Sequence, residues 1–184
     1  KLLGSDYAEV VKSVSSGYMD KVLDKIREHG VTAVTCFSES FPQSLGNISD
    51  PPYILFCKGD ASLLDTRCLA VVGTRKASVY GKRAAKDFVK ILCEYFTVVS
   101  GLAYGIDSVA HETTLEYDGK TIAVLGGGLI DVYPSANQSL ADKIVERGGL
   151  VMTEYGLEAT PNAFHFPHRN RLDYPTACSF VRLR

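Results

Sequence analysis

Three short segments of this 184-residue chain carry residues that suit phosphate binding. Residues 73–75 (Gly-Thr-Arg) directly follow an apolar run, and Ser100-Gly101 follows a second one. Glycine amides and cationic side chains at the carboxyl end of a buried strand are where an open α/β sheet binds anions. A third segment, residues 166–171 (FPHRNR), adds two more arginines. We therefore predict one phosphate-binding surface that is built from three parts of the chain.

The first segment lies between a predicted strand and a predicted helix. Glycine permits close approach of the main chain to a ligand, the Thr74 hydroxyl can bond a phosphate oxygen, and Arg75 can bind one bidentately. Lys76 and the basic residues of the following helix would add positive potential. The alternative is a tight turn followed by a solvated basic helix face, and spacing alone does not separate the two.

The loop that begins at Ser100 also holds the residue types of a hydrolytic triad, namely Ser100, Asp107 and His111. The serine lacks the G-x-S-x-G context that exposes a nucleophile between a strand and a helix. Asp107 and His111 lie four residues apart, which places them on the same helix face. We interpret them as a structural pair that holds the loop.

The glycine run 126–128 matches the dinucleotide-binding fingerprint only in part. Asp131 stands at the last glycine position, and Tyr133-Pro134 follows where a helix should begin. A P-loop fails as well, because arginine rather than serine or threonine follows Gly81-Lys82. The five cysteines lack the spacing of a zinc site. We predict no cofactor, no metal and no catalytic residue.

The segment 164–171 (FHFPHRNR) combines two phenylalanines, two histidines and two arginines. Aromatic rings can stack on bases while arginines bind phosphates, which is the combination that single-stranded nucleic acid requires. The alternative is a surface loop anchored by buried phenylalanines, and the composition favours the nucleic-acid interpretation.

Regularly alternating elements would position these segments. Apolar strands are predicted at 69–72, 97–99, 121–125 and 150–153, and amphipathic helices at 81–95, 106–116 and 140–147. This alternation predicts an α/β fold with a mainly parallel, doubly wound sheet that is covered on both faces. Ser78 can cap the first of these helices, whose predicted inner face holds Ala84, Phe88, Ile91 and Leu92. Residues 172–184 show no clear period, so the domain looks cut short.

Composition limits the kinds of partner. The net charge is −1, from 20 Lys+Arg and 21 Asp+Glu, so a site for a polyanion must be a local patch. No apolar stretch approaches the length of a membrane span, and no signal peptide is visible. Reduced structural thiols fit a cytoplasmic protein. We expect a cytoplasmic protein that does not bind membranes.

Several motifs, in order and in spacing, resemble the DNA-processing protein A family, also called DprA or Smf. They are residues 71–81 (VVGTRKASVYG), 99–111 (VSGLAYGIDSVAH), 121–126 (TIAVLG), 133–134 (YP) and 166–171 (FPHRNR). The similarity covers roughly residues 20 to 171. It implies an extended Rossmann-like domain (residues 41–184), preceded by a remnant of a small helical domain (residues 1–40).

The resemblance also implies a non-enzymatic protein that binds single-stranded DNA, protects it during natural transformation and helps to load the RecA recombinase, with a possible homodimer. The residues that would bind DNA are Gly73, Thr74, Arg75, Lys76, Ser100, Gly101, Phe166, Arg169, Asn170 and Arg171. Residues 172–184 do not resemble the family and are expected to form an atypical tail. The alternative is a nucleotide-processing enzyme, such as a phosphoribohydrolase on a related fold.

Overall fold

A computed structural model of the chain describes residues 17–176 and 179–183. The chain divides into two compact units, residues 1–31 and 32–184. The described part of the first unit holds helix α1 (Tyr18–Glu28), which ends before Gly30 adopts a left-handed backbone with φ 60°. Among the described residues, no helix is long and apolar enough to cross a bilayer.

The second unit is built on a seven-stranded sheet in the order β1-β2-β6-β5-β4-β3-β7. The strands are β1 (Val31–Thr35), β2 (Ile54–Gly59), β3 (Cys68–Gly73), β4 (Thr97–Ser100), β5 (Thr121–Val124), β6 (Leu150–Thr153) and β7 (Ser179–Leu183). The helices are α2 (Gln43–Gly46), α3 (Val79–Leu92), α4 (Ile106–Glu116), α5 (Gln138–Glu146) and α6 (His165–Thr176), with 3₁₀ turns at Ala61–Asp65 and Ser135–Asn137.

Strands β7, β3, β4, β5 and β6 pair in parallel, and β2 pairs antiparallel with β6. The predicted Rossmann-like α/β class with a mainly parallel sheet is confirmed. The four strands predicted from residue 69 onward all form. β1, at residues 31–35, begins the sheet, although it falls within the segment assigned above to the helical remnant.

Alternate residues of the central strands are buried on opposite faces of the sheet. Leu69, Val71 and Val98 join one apolar cluster with helices α3 and α4, whereas Val99 joins a second cluster with Leu172 of α6. Because both faces are covered, the strands are apolar without alternation, as expected for a parallel sheet. Helix α6 therefore lies on the face opposite to α3 and α4.

The connection through α6 creates a switch in topology beside β3. The chain proceeds from β3 through α3 to β4 on one side, whereas β7 returns to pair with the other side of β3. In open α/β sheets, ligands bind outside the carboxyl ends of the strands at such a switch point. This edge of the sheet is also where residues 73–75 lie.

Described residues of the segment expected to form an atypical tail belong to regular elements of the fold. Leu172 and Asp173 continue α6 and are buried, and Ser179–Leu183 forms β7 in parallel register with β3, opposite residues 69–73. Ser179 and Arg182 interrupt the apolar residues of this short strand, so it lacks the continuous apolar run from which the other strands were predicted.

The inner face of α3 also differs from the prediction. Ser78 caps the helix as expected, and its Oγ accepts a hydrogen bond from Gly81 N at 3.0 Å. The residues that pack inward, however, are the small ones, Gly81, Ala85 and Val89, while Phe88 and Ile91 are exposed. Small residues let the helix approach both the sheet and α4, so the stripe of larger side chains turns outward.

Candidate nucleic-acid interface

A cleft of about 600 Å³ lies at the carboxyl ends of the central strands, beside the switch point. Volumes of ~300–1,000 Å³ are typical of small-molecule sites. The end of β3, the loop after β4, the loop before α5 and one face of α6 all contribute to it. Its lining residues are Val72, Gly73, Arg75, Ala103, Asp107, Tyr133, Pro161, Ala163, Phe166, Pro167, Arg169, Asn170 and Asp173.

The rim of the cleft carries one exposed cation above aromatic rings. The Arg75 guanidinium carbon lies 4.9 Å from the centre of the Phe166 ring, and the Phe166 ring lies 5.7 Å from that of Tyr133. Within the described ranges, Arg75 forms no ion pair with a carboxylate. Arg75 is therefore free to bind an anion, and the rings beside it offer apolar faces for stacking.

Arg169 lines the same cleft from below but is only 5% exposed. Its Nη1 donates a hydrogen bond to the Val124 carbonyl at the end of β5, and its Nε lies 3.7 Å from Oδ2 of Asp173. The guanidinium is thus held by the sheet and by its own helix. Sequence reasoning placed this arginine on a phosphate, whereas the structure places it in the floor of the cleft.

Gly101 makes room for that guanidinium. A Cβ atom on Gly101 would overlap Nη1 and Nη2 of Arg169. Gly73, at the end of β3, also lacks room for a side chain. A Cβ there would lie 2.5 Å from the Ile106 side chain. Both glycines were predicted as anion-binding amides, and the structure gives each a packing requirement as well.

Two carboxyl groups lie beside Arg169 in the floor. Asp107 is 5% exposed and Asp173 is 1% exposed. Burial raises the pKa of Asp107 while Arg169 opposes the rise, and burial together with Asp107 raises the pKa of Asp173 to about 7. Once both carboxyls ionise, the floor carries more negative than positive charge.

Ser100, Asp107 and His111 do not form a triad. The Ser100 hydroxyl is buried and donates to the Val71 carbonyl at 2.6 Å. Asp107 Oδ2 accepts from Ala103 N at 3.4 Å. His111 Nδ1 lies 2.7 Å from Thr121 Oγ1, which itself donates to the main chain, so Nδ1 carries the proton. Each residue serves the packing of a strand end or loop.

The predicted pairing of Asp107 with His111 is absent from the hydrogen bonds of the described residues. His111 is fully buried, and burial, with a smaller contribution from Arg169, lowers its pKa to about 3. Its ring turns toward β5, whereas the Asp107 carboxyl turns toward the loop after β4. Four-residue spacing on a helix permits a contact between Asp107 and His111. In the structure, Asp107 bonds to the loop after β4 and His111 bonds to Thr121 of β5 instead.

Arg171 lies outside the cleft. Its guanidinium pairs with Glu154 through Nη2 and with Asp50 Oδ2 at 3.2 Å through Nε. His168 adds contacts to the same two carboxylates. Because two carboxylates pair with Arg171, it contributes no free positive charge. Of the three arginines predicted to converge, two line the cleft, namely Arg75 at the rim and Arg169 in the floor.

The remaining predicted residues lie at the margin of the cleft. Asn170 lines it and is exposed, whereas Thr74 and Lys76 do not line it. Thr74 Oγ1 accepts a hydrogen bond from Lys76 N at 3.3 Å, which shapes the turn below Arg75. Sequence reasoning missed Tyr133 and Asp173 as lining residues. Tyr133 stood in a recognised motif without an assigned role, and Asp173 stood in the segment assigned to the tail.

The chain is similar in sequence to known DNA-processing proteins. The family model of DNA recombination-mediator protein A matches residues 32–179. The chain is 38% identical over 156 residues to DNA processing protein DprA of Bacillus subtilis, covering 84% of this chain and 52% of that protein. It is 44% identical over 134 residues to DprA of Streptococcus pneumoniae, covering 73% and 47%.

Solved structures agree. The X-ray structure of DNA processing protein A from Streptococcus pneumoniae superposes with a TM-score of 0.78 at 39% identity, covering 83% of this chain and 53% of that one. The Helicobacter pylori protein, solved for its single-stranded DNA binding mode, gives 0.74 at 30% identity, covering 83% and 68%. The chain spans about half the length of these two curated relatives.

Proposed function

The chain belongs to the DNA recombination-mediator protein A family, and we propose that its cleft binds single-stranded DNA without catalysing a reaction. The observation that carries the proposal is Arg75, an exposed guanidinium without a carboxylate partner among the described residues, placed 4.9 Å above the Phe166 ring at the switch point of the sheet. The neighbouring structure solved for a single-stranded DNA binding mode supports it.

The chemistry of the rim suits a flexible, single-stranded polyanion. Arg75 can bind a backbone phosphate, while Phe166 and Tyr133 present ring faces on which bases can stack. Every base has a π-face, so most of this binding is independent of sequence. The proposed contact residues are Arg75, Phe166, Tyr133 and Asn170, with Gly73, Gly101, Ser100, Thr74 and Arg169 shaping the surface beneath them. Lys76 adds charge nearby, and Arg171 stabilises the helix from outside the cleft.

Fluorescence anisotropy with labelled oligo-dT tests this proposal. Arg75→Ala should weaken binding and reduce the slope of log K against log salt by about 0.7, the value for one phosphate contact on a single strand. Phe166→Ala should cost ~1–3 kcal/mol in stacking. Arg83→Ala is the matched control, because Arg83 is an exposed arginine on α3 that does not line the cleft. If Arg75→Ala and Arg83→Ala have equal effects, the assignment of the site is wrong.

The absence of catalysis needs its own experiment. Ser100 and His111 are buried and bonded to the main chain and to Thr121, which supports a binding role for the cleft. The chain should leave nucleoside monophosphates intact over hours, as measured by chromatography of the reaction mixture. Release of free base that is lost in Asp173→Asn or Asp107→Asn would instead favour a phosphoribohydrolase-like enzyme.

The family description as a recombination mediator supports a further role in the cytoplasm. We propose that the bound strand is protected during natural transformation and transferred to the RecA recombinase, and that the protein acts as a homodimer. Adding the chain to RecA and single-stranded DNA should shorten the lag before ATP hydrolysis. No change in the lag would overturn the RecA proposal and leave DNA binding unaffected. Sedimentation with and without oligonucleotide measures the state of assembly.

A further inference from the structure

The outer face of helix α3 carries a row of exposed apolar side chains. Tyr80, Phe88 and Ile91 are 82%, 53% and 61% exposed. Together with Ala84 they follow one another at intervals of three or four positions, so they are neighbours on the helix surface. Single exposed apolar side chains are ordinary, whereas a contiguous patch of them marks an interaction surface. This row therefore suits contact with a partner.

The row surrounds a hollow of about 350 Å³. Its lining residues are Tyr80, Arg83, Ala84, Asp87, Phe88 and Ile91. Ala84 is the smallest of them and is half-buried, while aromatic rings stand one helical turn to either side of it. A small residue between larger ones receives a large side chain of a facing helix, as in the packing of ridges into grooves.

The lysines of α3 lie on another side of the helix. Lys82, Lys86 and Lys90 are four positions apart and form a row of their own. The Nζ atom of Lys86 lies 2.8 Å from Oε2 of Glu116, and that of Lys90 lies 5.2 Å from the centre of the Tyr117 ring. Because this basic row faces α4, the apolar row does not select a polyanion or an acidic partner.

The charged residues that line the hollow are one cation and one anion. Arg83 Nε lies 4.0 Å from Asp87 Oδ2, and both side chains are largely exposed. An exposed pair of this kind adds little to stability, so each member can contact the opposite charge of another helix at little cost. A surface with one charge of each sign, one turn apart, is complementary to its own copy after a half rotation. This is the property that a two-fold interface requires.

We propose that two copies of this chain pair through antiparallel α3 helices, with Phe88 of each copy seated over Ala84 of the other. At a rise of ~1.5 Å per residue, this register brings Arg83 of one copy within about 3 Å, along the axis, of Asp87 of the other. Ile91 comes within about 1.5 Å of Tyr80 in the same way. The inference rests on the proposed homodimer and names the surface that forms it.

The size of the contact sets the strength that is expected. An aromatic side chain buries ~150–250 Å², so Tyr80 and Phe88 of two copies supply at most ~600–1,000 Å². A standard interface buries ~1,600 Å², and smaller ones are typical of transient contacts. We therefore expect a reversible dimer with a Kd in the micromolar range. Arg75 precedes α3, so antiparallel pairing places the two clefts at opposite ends of the helix pair and leaves both open.

Reversal of charge tests the two-fold pairing directly. Arg83→Glu alone, or Asp87→Arg alone, places like charges opposite each other in both contacts, and either should raise the Kd at least about tenfold. A mixture of the two variants restores opposite charges in both contacts and should associate about as tightly as the unmodified chain. Sedimentation equilibrium over a micromolar concentration series measures each sample. A mixture that associates no better than the single variants overturns the inference.

Truncation of the apolar row is a second, independent test. Phe88→Ala should raise the Kd at least about tenfold because it removes the side chain that fills the hollow of the other copy. Phe37→Ala is the matched control, since Phe37 is an exposed phenylalanine in the loop after β1. Both side chains are exposed, so thermal unfolding should show the same stability for the two variants. Equal Kd values for Phe88→Ala and Phe37→Ala contradict the proposed surface.

The same samples separate this inference from the proposed binding of DNA. Phe88→Ala should leave the affinity for an oligo-dT that fits one cleft unchanged, whereas Arg75→Ala should weaken that affinity and leave the Kd of the dimer unchanged. A chain that binds oligo-dT but stays monomeric overturns both the inference and the proposed homodimer. A dimer that persists in all the α3 variants overturns the inference alone. A dimer that depends on α3 but binds no oligo-dT supports the inference and refutes the proposed DNA binding.

Discussion

Replacing Asp173 by asparagine should change how the stability of the fold depends on pH. Asp173 and Asp107 are both buried beside Arg169, so the fully ionised group has one negative charge in excess. Burial and the Asp107 charge raise the pKa of Asp173 from 3.8 to about 7. The folded protein therefore binds this proton more tightly than the unfolded chain does.

The sign of the effect follows from that difference. Where the folded state holds a proton that the unfolded state has released, the free energy of unfolding falls as pH rises. The effect spans the pH range between the two pKa values of Asp173, 3.8 in the unfolded chain and about 7 in the folded protein. At ~1.4 kcal/mol per pH unit, the free energy of unfolding changes by ~4 kcal/mol over this range. The stabilisation is fully present below the lower value and is lost once the pH has passed the upper one.

His111 acts in the opposite direction over nearly the same window. Burial lowers its pKa from 6.5 to about 3, so the folded state excludes a proton that the unfolded chain binds. That contribution is present above 6.5 and is lost as pH falls toward 3. The two contributions oppose each other in the unmodified chain, while Asp107, whose pKa is also raised, acts with Asp173. The difference between variant and unmodified chain isolates Asp173.

Urea unfolding followed by circular dichroism between pH 4 and pH 8 measures this difference. The unfolding free energy of Asp173→Asn minus that of the unmodified chain should rise with pH, by up to ~4 kcal/mol between pH 4 and pH 7. Any fixed cost of burying the asparagine amide shifts the curve without changing its slope. Asp87→Asn, at an exposed carboxylate on α3, should give a flat difference. A flat difference for Asp173→Asn would refute the reasoning about the floor of the cleft.

Three further variants test the packing around the cleft by thermal or urea unfolding. Gly101→Ala should destabilise the fold by ~1–3 kcal/mol because the new Cβ overlaps the Arg169 guanidinium, whereas Gly156→Ala, with open space around it, should be neutral. Arg171→Ala should lower stability by ~1–3 kcal/mol and leave oligo-dT affinity within twofold, since two carboxylates already neutralise this arginine. Ser100→Ala should cost about 1 kcal/mol, the value of its buried hydrogen bond to β3. Loss of oligo-dT affinity in Arg171→Ala at unchanged stability would place this arginine on the DNA instead.

The sequence predicted the parallel core well because its signals are local. Apolar runs, helical periodicity and the capping serine at position 78 each depend on residues a few positions apart. It failed for β7, where Ser179 and Arg182 interrupt the apolar residues, and for the inner face of α3, which is set by packing against α4. Phe88 and Ile91 look like core residues in a helical projection, but only the close approach of α4 makes Gly81 and Ala85 the buried stripe.

Local patterns in the sequence were sufficient to predict the parallel strands β3 to β6, the helices between them and the cationic segments near the strand ends. What each cation does depends on the tertiary structure. Arg75, Arg169 and Arg171 are equivalent as residue types, yet the fold leaves the first exposed, buries the second beside Asp173 and pairs the third with two acidic side chains. Charge at a given position depends on which carboxylates the fold brings near it, and those carboxylates come from segments up to 121 residues away.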